Sequence, residues 1–204
     1  MALATYADLQ SSIGDWLNRA DLVATIPSFI TMAETAHNRQ IRTRQMIKRS
    51  TATVSDAFTT LPSDMLEITN AQINGSRVTP LEFVSMTEAD KVRRLYPAGT
   101  SKFFTIVGDT LELVPNPSSS VEVEIVYYAR IPALSASNTS NWLLLNSPDL
   151  YLYGALIASA PYLRDDDRVM TWVSLYKQAL GDLLLSDERA RFTSTPLRAR
   201  GPVF

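Results

Sequence analysis

The sequence predicts an α+β fold, in which terminal helices form a helical layer and an antiparallel β-region is inserted between them. Apolar residues recur at helical spacing near both ends of the chain, whereas from Thr51 to about residue 129 they follow a period of two. Helices, then a run of strands, then helices again indicate an antiparallel sheet rather than alternating βα units. A basic end over residues 189–204 predicts an extended C-terminal tail.

The composition is that of a globular protein, and it excludes several kinds of active site. The 204 residues are 46% hydrophobic and 20% charged, with a net charge of −2. Because the chain has no cysteine and one histidine, His37, it lacks disulfides, thiolate metal sites and thiol catalysis. Its seven glycines form no phosphate-binding loop. The longest apolar stretch, 150–163, is shorter than a bilayer span. We therefore expect no cofactor and no membrane segment.

Two helices are predicted at the N-terminus. Thr5 and Asp8 stand three residues apart, as in a capping box, and predict a helix over about 5–18. Pro27 favours the first turn of a second helix over about 27–48. Arg39, Arg42 and Arg49 fall opposite the apolar arc of this second helix, and with Arg44 and Lys48 they form a predicted basic face.

The β-region, about 51–129, contains two hairpin signals and one short helix. Asn74-Gly75 and Gly108-Asp109 are typical of tight hairpin turns. The capping-box sequence that begins at Ser85 predicts a helix over about 86–95. Glu122 and Glu124 alternate with apolar residues and predict a strand with one acidic face.

The C-terminal part predicts two long helices followed by the tail. Ser147-Pro148-Asp149 favours a helix start, and the pattern continues to about residue 163. A second apolar stripe predicts a helix over about 167–188, opened by the acids at 165–167. Residues 1–188 are thus expected to form one domain, helical over 1–50 and 144–188 and β-rich over 51–130, followed by an extended C-terminal arm over 189–204. The arm holds four arginines, two prolines and no acid. We interpret it as a segment that docks on another protein, although an unstructured basic end would explain the composition as well.

Three candidate sites have simpler structural explanations beside the functional ones. Asp64 and Glu67 could form the acid/base pair of a hydrolase acting on cell-wall glycan, although a turn residue and a solvent-facing strand residue explain them as well. The basic residues of the second helix could contact nucleic-acid phosphates without sequence preference, as in a DNA-binding protein, or could form a solvated or subunit-facing surface. His37 has no base or ligand one helical turn away, so we expect a satisfied, partly buried side chain.

Three groups of segments then occur in a fixed order. They are Ile26–Glu34 with Asn38–Arg44, Leu61–Glu67 with Pro80–Glu82, and Asn141–Leu144 with Pro148–Gly154, Ala160–Leu163, Asp165-Asp166 and Trp172. In this order and spacing they resemble the head-to-tail adaptor proteins of short-tailed phages, which also occur in prophages. The resemblance covers about residues 5–187.

The resemblance implies a non-enzymatic virion component at the phage neck, assembled in the host cytoplasm. Such adaptors form a ring, usually of twelve copies, beneath the portal protein, complete the head, and provide the platform for tail or nozzle proteins around the DNA channel. The C-terminal segment typically grips the portal. On this chain the expected portal-docking residues are Arg191, Phe192, Leu197, Arg198, Arg200, Val203 and Phe204. Arg39, Arg42 and Arg49 are the candidates for contact with a neighbouring subunit or with the DNA backbone. We expect the arm to be disordered in the free protein and extended on the portal.

Overall fold

The computed structural model describes residues 3–163 and 167–191, and its fold is α+β, as predicted. The α-helices of the described residues are α1 (Tyr6–Leu17), α2 (Ile26–Gln40), α3 (Met86–Leu95), α4 (Trp142–Asn146), α5 (Pro148–Leu163) and α6 (Val169–Arg191). The strands are β1 (Ile47–Val54), β2 (Phe58–Thr60), β3 (Met65–Asn74), β4 (Thr79–Pro80), β5 (Glu82–Phe83), β6 (Ala98–Gly99), β7 (Phe103–Val107), β8 (Thr110–Val114), β9 (Asn116–Pro117) and β10 (Val121–Ala129). The chain divides into two compact units, a helical unit up to Gln45 and from Ile131 onward, and a β-rich unit, Met46–Arg130.

Helix α5 lies at the centre of the helical unit. Helices α1, α2, α4 and α6 all pack against it. Its buried side chains include Tyr151, Ala155 and Leu156, none of which is accessible to solvent. The start of α1 follows the predicted capping box, because Thr5 Oγ1 accepts from the Asp8 N–H at 3.2 Å and Asp8 Oδ2 accepts from the Thr5 N–H at 3.0 Å.

Helix α2 is shorter than predicted, which corrects the basic helical face. It ends at Gln40, with Ile41 in an extended conformation, and residues from Ile47 form strand β1. Ile41 is fully buried, whereas Ile47, which falls on the apolar arc of the predicted helix, is 40% exposed. The helical pattern over 41–48 is overridden because β1 pairs with β10, whose residues lie 67 to 81 positions later in the chain.

The C-terminal helices differ from prediction at two points. Helix α4 was not predicted, and it begins where the Asn141 side chain accepts from the Leu144 N–H. Helix α6 continues to Arg191 rather than ending at 188, so the first three residues of the predicted arm are helical. The predicted helix start at Asp165-Asp166 and the rest of the arm, 192–204, lie outside the described residues.

The β-rich unit contains two four-stranded sheets and one two-stranded pair. Sheet A has the order β1-β10-β3-β4, and sheet B has the order β2-β8-β7-β5. Apolar side chains of both sheets share one core, including Val123 and Ile125 of sheet A and Leu111 and Leu113 of sheet B. Most pairings are antiparallel, as expected, but the two-residue pairings β5–β7 and β6–β9 are parallel.

One hairpin matches its prediction fully, and the other in part. Strands β7 and β8 pair across the Gly108-Asp109 turn, where Gly108 takes a φ of +60° that disfavours residues with a Cβ. After Asn74-Gly75 the return strand β4 pairs with β3 at two positions, while β3 pairs along its length with β10. Ser85 caps α3 as predicted, accepting from the Glu88 N–H at 3.3 Å.

Candidate docking site

The candidate docking site is the C-terminal end of α6, from which the remaining chain departs. Asp187, in the last turns of α6, is 9% exposed. Its Oδ1 accepts from the Arg44 backbone N–H at 3.0 Å, and its Oδ2 accepts from Arg191 Nε at 2.8 Å. A buried carboxylate is stable here because charged and neutral donors satisfy it together. Asp187 thus ties the end of α6 to the segment that follows α2.

Arg191 supports the same junction, although we expected it in an extended arm. Besides Asp187, its guanidinium donates to the Arg42 carbonyl at 3.3 Å. Arg44 Nε also lies 3.8 Å from Asp187 Oδ1. Arg191 is therefore placed at the base of the segment 192–204, where two partners within the helical unit hold it.

A groove of about 480 Å³ adjoins this junction within the helical unit. Its residues come from the end of α4, the start of α5, the middle and C-terminal part of α6 and the segment after α2, and they are Arg44, Gln45, Asn146, Ser147, Asp149, Ala179, Asp182, Leu183, Ser186 and Asp187. Exposed leucines occur on the same elements, since Leu145 is 60%, Leu184 39% and Leu185 51% exposed. Exposed apolar groups beside polar ones are typical of protein–protein contact surfaces.

The structure does not place Arg39, Arg42 and Arg49 on one helical face. Arg39 is exposed near the end of α2. Arg42 lies after the helix, and its Nη1 donates to the carbonyls of Asn38 and Ile41 at 2.8 and 2.7 Å, which satisfies the C-terminal end of α2. Arg49 is in β1 of the other unit. The basic surface predicted over 39–49 is therefore wrong as a single helical feature.

The carboxylates of the predicted acidic face of β10 are bound by side chains of the neighbouring strands. Glu124 is 8% exposed, and its Oε1 lies 3.3 Å from Arg49 Nε. Asn74 Nδ2 donates to Glu122 Oε1 at 2.9 Å and to Glu124 Oε2 at 3.1 Å. Strand β10 lies between two strands, so its acids are bound across the sheet rather than presented on an open face.

The hydrogen bonds of Asp64 indicate a structural role rather than acid catalysis. Lys48 Nζ donates to Asp64 Oδ2 at 2.6 Å, and the Tyr127 hydroxyl donates to Asp64 Oδ1 at 3.0 Å. The bond from Lys48 is the largest cause that lowers the pKa of Asp64, so this carboxylate stays ionised and lacks a proton to donate. Glu67 is exposed on β3, opposite Tyr128 of β10. These contacts favour the structural explanation of the pair.

His37 is more deeply buried than expected, and it is not satisfied. Its side chain is inaccessible to solvent, with its ring stacked on Tyr176 at 5.9 Å and edge-on to Tyr151 at 5.1 Å. Neither ring nitrogen makes a hydrogen bond of good geometry, although the Leu150 backbone lies near. Burial lowers the pKa of His37 to about 4, against a small opposing effect from that backbone. The imidazole is therefore neutral at pH 7.

A buried polar network that the sequence analysis missed holds the connector after β10. Glu34 Oε1 accepts from the Leu134 N–H at 2.7 Å and from the Tyr151 hydroxyl at 3.3 Å. Asn141 Nδ2 donates to the Tyr151 hydroxyl at 2.6 Å and to the Pro132 carbonyl at 2.7 Å. Burial raises the pKa of Glu34, partly opposed by the bond from Leu134.

One sequence signal could have located this network. Glu34 lies one and four residues after Ala33 and Ile30, two residues of the apolar face of α2. A carboxylate at such a position needs buried donors, and the Ser/Asn-rich connector that has no period of its own could supply them. The partners themselves lie about 100 residues away, so the sequence does not identify them.

The described residues offer neither a membrane-spanning helix nor a cluster of metal-binding side chains. No helix within 3–163 or 167–191 is long and apolar enough to cross a bilayer. The same residues hold no cluster of three histidine, aspartate or glutamate side chains arranged to bind a metal ion.

Comparison with known proteins decides the family. The model of the SU10 adaptor protein family matches residues 4–200, which is nearly the whole chain. The chain belongs to this family. The match agrees with the resemblance to phage head-to-tail adaptors drawn from the three groups of segments. No curated protein matches the chain.

Proposed function

We propose that this adaptor protein forms a ring that joins the portal of a phage head to its tail.

 The proposal rests on the family match over residues 4–200. According to this proposal, the protein lies in the virion neck, is present in the host cytoplasm during assembly, and has no catalytic role. The ring contains about twelve copies, the number usual for the adaptors that the three groups of segments resemble.

The contacts at the end of α6 support a docking role for the segment that follows. Asp187 and Arg191 bind the last turn of α6 to the backbone at Arg42 and Arg44, so the residue that precedes the segment 192–204 is held within the helical unit. A peptide that leaves a fixed point loses less freedom on binding than one that leaves a frayed helix end.

The sequence of the segment 192–204 suits an extended peptide on a portal groove or sheet edge. Pro196 and Pro202 disfavour a continuous helix. In the proposal, arginines bind portal carboxylates bidentately and the apolar side chains fill portal pockets. The arginines are Arg198 and Arg200, and the apolar residues are Phe192, Leu197, Val203 and Phe204. Arg191 serves as the base of the arm.

Contact with DNA is a secondary part of the proposal. Arg39, Arg42 and Arg49 are its candidates, although Arg42 and Arg49 also bind groups within the chain. Any such contact would involve phosphates and no particular sequence, since a channel must let every sequence pass. The hydrolase alternative is disfavoured because Asp64 is held ionised by Lys48 and Tyr127.

Deleting residues 192–204 tests the docking arm. We expect the melting temperature to stay within about 2 °C of the full chain, because the junction at Asp187 is retained. Affinity for the portal of the same phage should fall about thirtyfold or more, the usual effect of losing a buried apolar anchor. Sedimentation or light scattering of portal mixtures measures this.

A pair of double variants separates the apolar anchors from the rest of the arm. Leu197→Ser with Phe204→Ser should weaken portal binding nearly as much as the deletion. Thr193→Ala with Thr195→Ala, in the same segment, is the matched control and should bind as the full chain does. Equal portal loading by the deleted and full-length proteins would show that the arm does not dock there.

A further inference from the structure

Strand β1 forms an open edge of sheet A. All eight of its residues, Ile47–Val54, pair with β10 in an unbroken antiparallel register. On the side away from β10, no backbone group of β1 is hydrogen bonded to the backbone of another described residue. Such a long, regular edge is unusual in natural proteins unless it is covered, because it accepts further strands.

The opposite edge of the same sheet is protected. Strand β3 is covered by β4 at Gln72 and Ile73, and its register with β10 shifts twice over the remaining residues. Bulges of this kind twist an edge and disfavour further pairing. Among the described residues, no bulge interrupts β1 and no strand pairs with its free side, so the two edges of sheet A differ in their capacity to bind a strand.

A cleft of about 290 Å³ lies beside the β1 edge, within the β-rich unit. Strand β2, the edge strand of sheet B, forms its other side, so both sheets end at the cleft. Apolar and hydroxyl side chains line it, among them Ala52, Thr60, Leu111 and Ile125. A strand added to β1 would place alternate side chains in this cleft.

The positive charges near the start of β1 determine which charges a partner strand should have. Lys48 binds Asp64 and Arg49 binds Glu124, yet their side chains remain 52% and 68% exposed. Both therefore keep donors for a partner. A matching strand is uncharged where it lies on the cleft, with apolar or β-branched residues at alternate positions, and acidic at the end that meets Lys48 and Arg49.

Two segments of this protein itself match the β1 edge less well than an acid-ended strand does. The segment 192–204 is basic, and Pro196 and Pro202 leave five residues between them that can donate to a ladder. Pairing of β1 with β1 of a second copy would be a two-fold contact, whereas a closed ring uses head-to-tail contacts.

We propose that the β1 edge and its cleft bind an extended, acid-ended segment of the tail protein by strand addition. This inference rests on the proposed adaptor function and adds the chemistry of its tail-facing contact.

A peptide experiment tests the edge itself. The probe is a synthetic octapeptide of alternating threonine and valine that ends in two glutamates, and its control has proline at every second valine. The full-length protein, mixed with excess probe, should show hydrogen-exchange protection over residues 47–54, and the proline peptide should not protect them. Absence of protection at saturating probe would overturn the proposal.

Substitutions test the cleft with the phage's own tail protein. Ala52→Lys puts a charge in the cleft, and Thr53→Lys, next along the strand and exposed, is the matched control. Ala52→Lys should weaken tail-protein binding about tenfold or more, while Thr53→Lys binds normally. If Ala52→Lys lowers the melting temperature, Thr60→Lys replaces it, since Thr60 lines the cleft from β2 and is exposed.

The same proteins distinguish failure of this inference from failure of the adaptor function. If the cleft variants load onto the portal normally and bind the tail protein normally, the inference is wrong and the adaptor function stands. If the unmodified protein binds neither portal nor tail protein, the adaptor function itself is wrong. If Ala52→Lys abolishes self-association without affecting tail binding, the occupant of β1 is a second copy and the inference is overturned.

Discussion

At the scale of single residues, two glycines in neighbouring helices predict opposite effects of the same substitution. A Cβ on Gly154 would lie 3.1 Å from both Ala33 Cβ and His37 Nε2 on the facing helix α2, whereas a Cβ on Gly181 meets nothing within 4 Å. Gly154→Ala should therefore destabilise the protein by about 1–3 kcal/mol through overpacking. Gly181→Ala should stabilise it by about 0.5–1 kcal/mol through helix propensity.

Urea denaturation of the two variants measures this difference. Both substitutions add one methyl group to a helix, so the comparison isolates packing from propensity. Equal stability changes for the two variants would contradict the close contact of α5 with α2 at Gly154.

His37 predicts how stability changes with acidity. Its pKa is about 4 in the folded protein, against an ordinary value of 6.5, so the unfolded chain binds the proton more readily. The contribution of His37 to stability is present above pH 6.5 and is lost as the pH falls to about 4. The loss amounts to about 3 kcal/mol, from 1.4 kcal/mol for each unit of pKa shift.

A variant without the imidazole isolates this contribution from that of Glu34. The raised pKa of Glu34 has the opposite sign, since it adds stability as the pH falls. Between pH 7 and pH 5, wild-type protein should therefore lose about 2 kcal/mol more than His37→Gln, measured by urea denaturation at each pH. Parallel pH profiles for the two proteins would show that His37 is not buried as a neutral base.

At the scale of elements, the last turn of α6 depends on one carboxylate. Asp187→Ala removes the acceptor of the Arg44 N–H and of Arg191, and should destabilise the protein by about 1–3 kcal/mol. The peptide bonds after Arg189 and Arg191 should then be cleaved faster by trypsin, because the helix end opens more often. Asp182→Ala, on the exposed side of the same helix, is the control and should be cleaved as the wild type is.

Elements with local signals were predictable from the sequence, and those fixed by distant partners were not. Thr5 with Asp8 and the turn at Gly108 determine their backbone within a few residues, so both predictions are confirmed. The end of α2 was placed eight residues too late, because the chain after Gln40 is extended by pairing with β10. Helical spacing of apolar residues carries no information about that distant strand.

At the candidate site, too, local features were predictable from the sequence and contacts with distant residues were not. The unusual composition of the C-terminal segment was visible in the sequence, and it predicted a departure from the packed domain near residue 189. The continuation of α6 to Arg191 was not visible, since its last turn is held by Asp187 binding the backbone at Arg44, 143 residues earlier. The grouping of Arg39, Arg42 and Arg49 failed for a related reason, because those residues belong to three different local structures.

At the scale of the whole molecule, each of the two units carries a different proposed contact surface. The helical unit carries the base of the segment proposed to bind the portal, and the β-rich unit carries the open edge proposed to bind the tail protein. Variants at each place should therefore lose one partner and keep the other. An adaptor needs two such independent surfaces, because it joins two different structures.

The central position of α5 has a consequence for the order in which the protein folds during synthesis. The β-rich unit, Met46–Arg130, is complete before α5 is made, and its own central strand β10 is the last to emerge. Helices α1 and α2 are made before this unit, yet the helix against which both pack lies more than a hundred residues later. On the ribosome, these two helices therefore remain without their main packing partner until the whole β-rich unit and the connector after it have been translated.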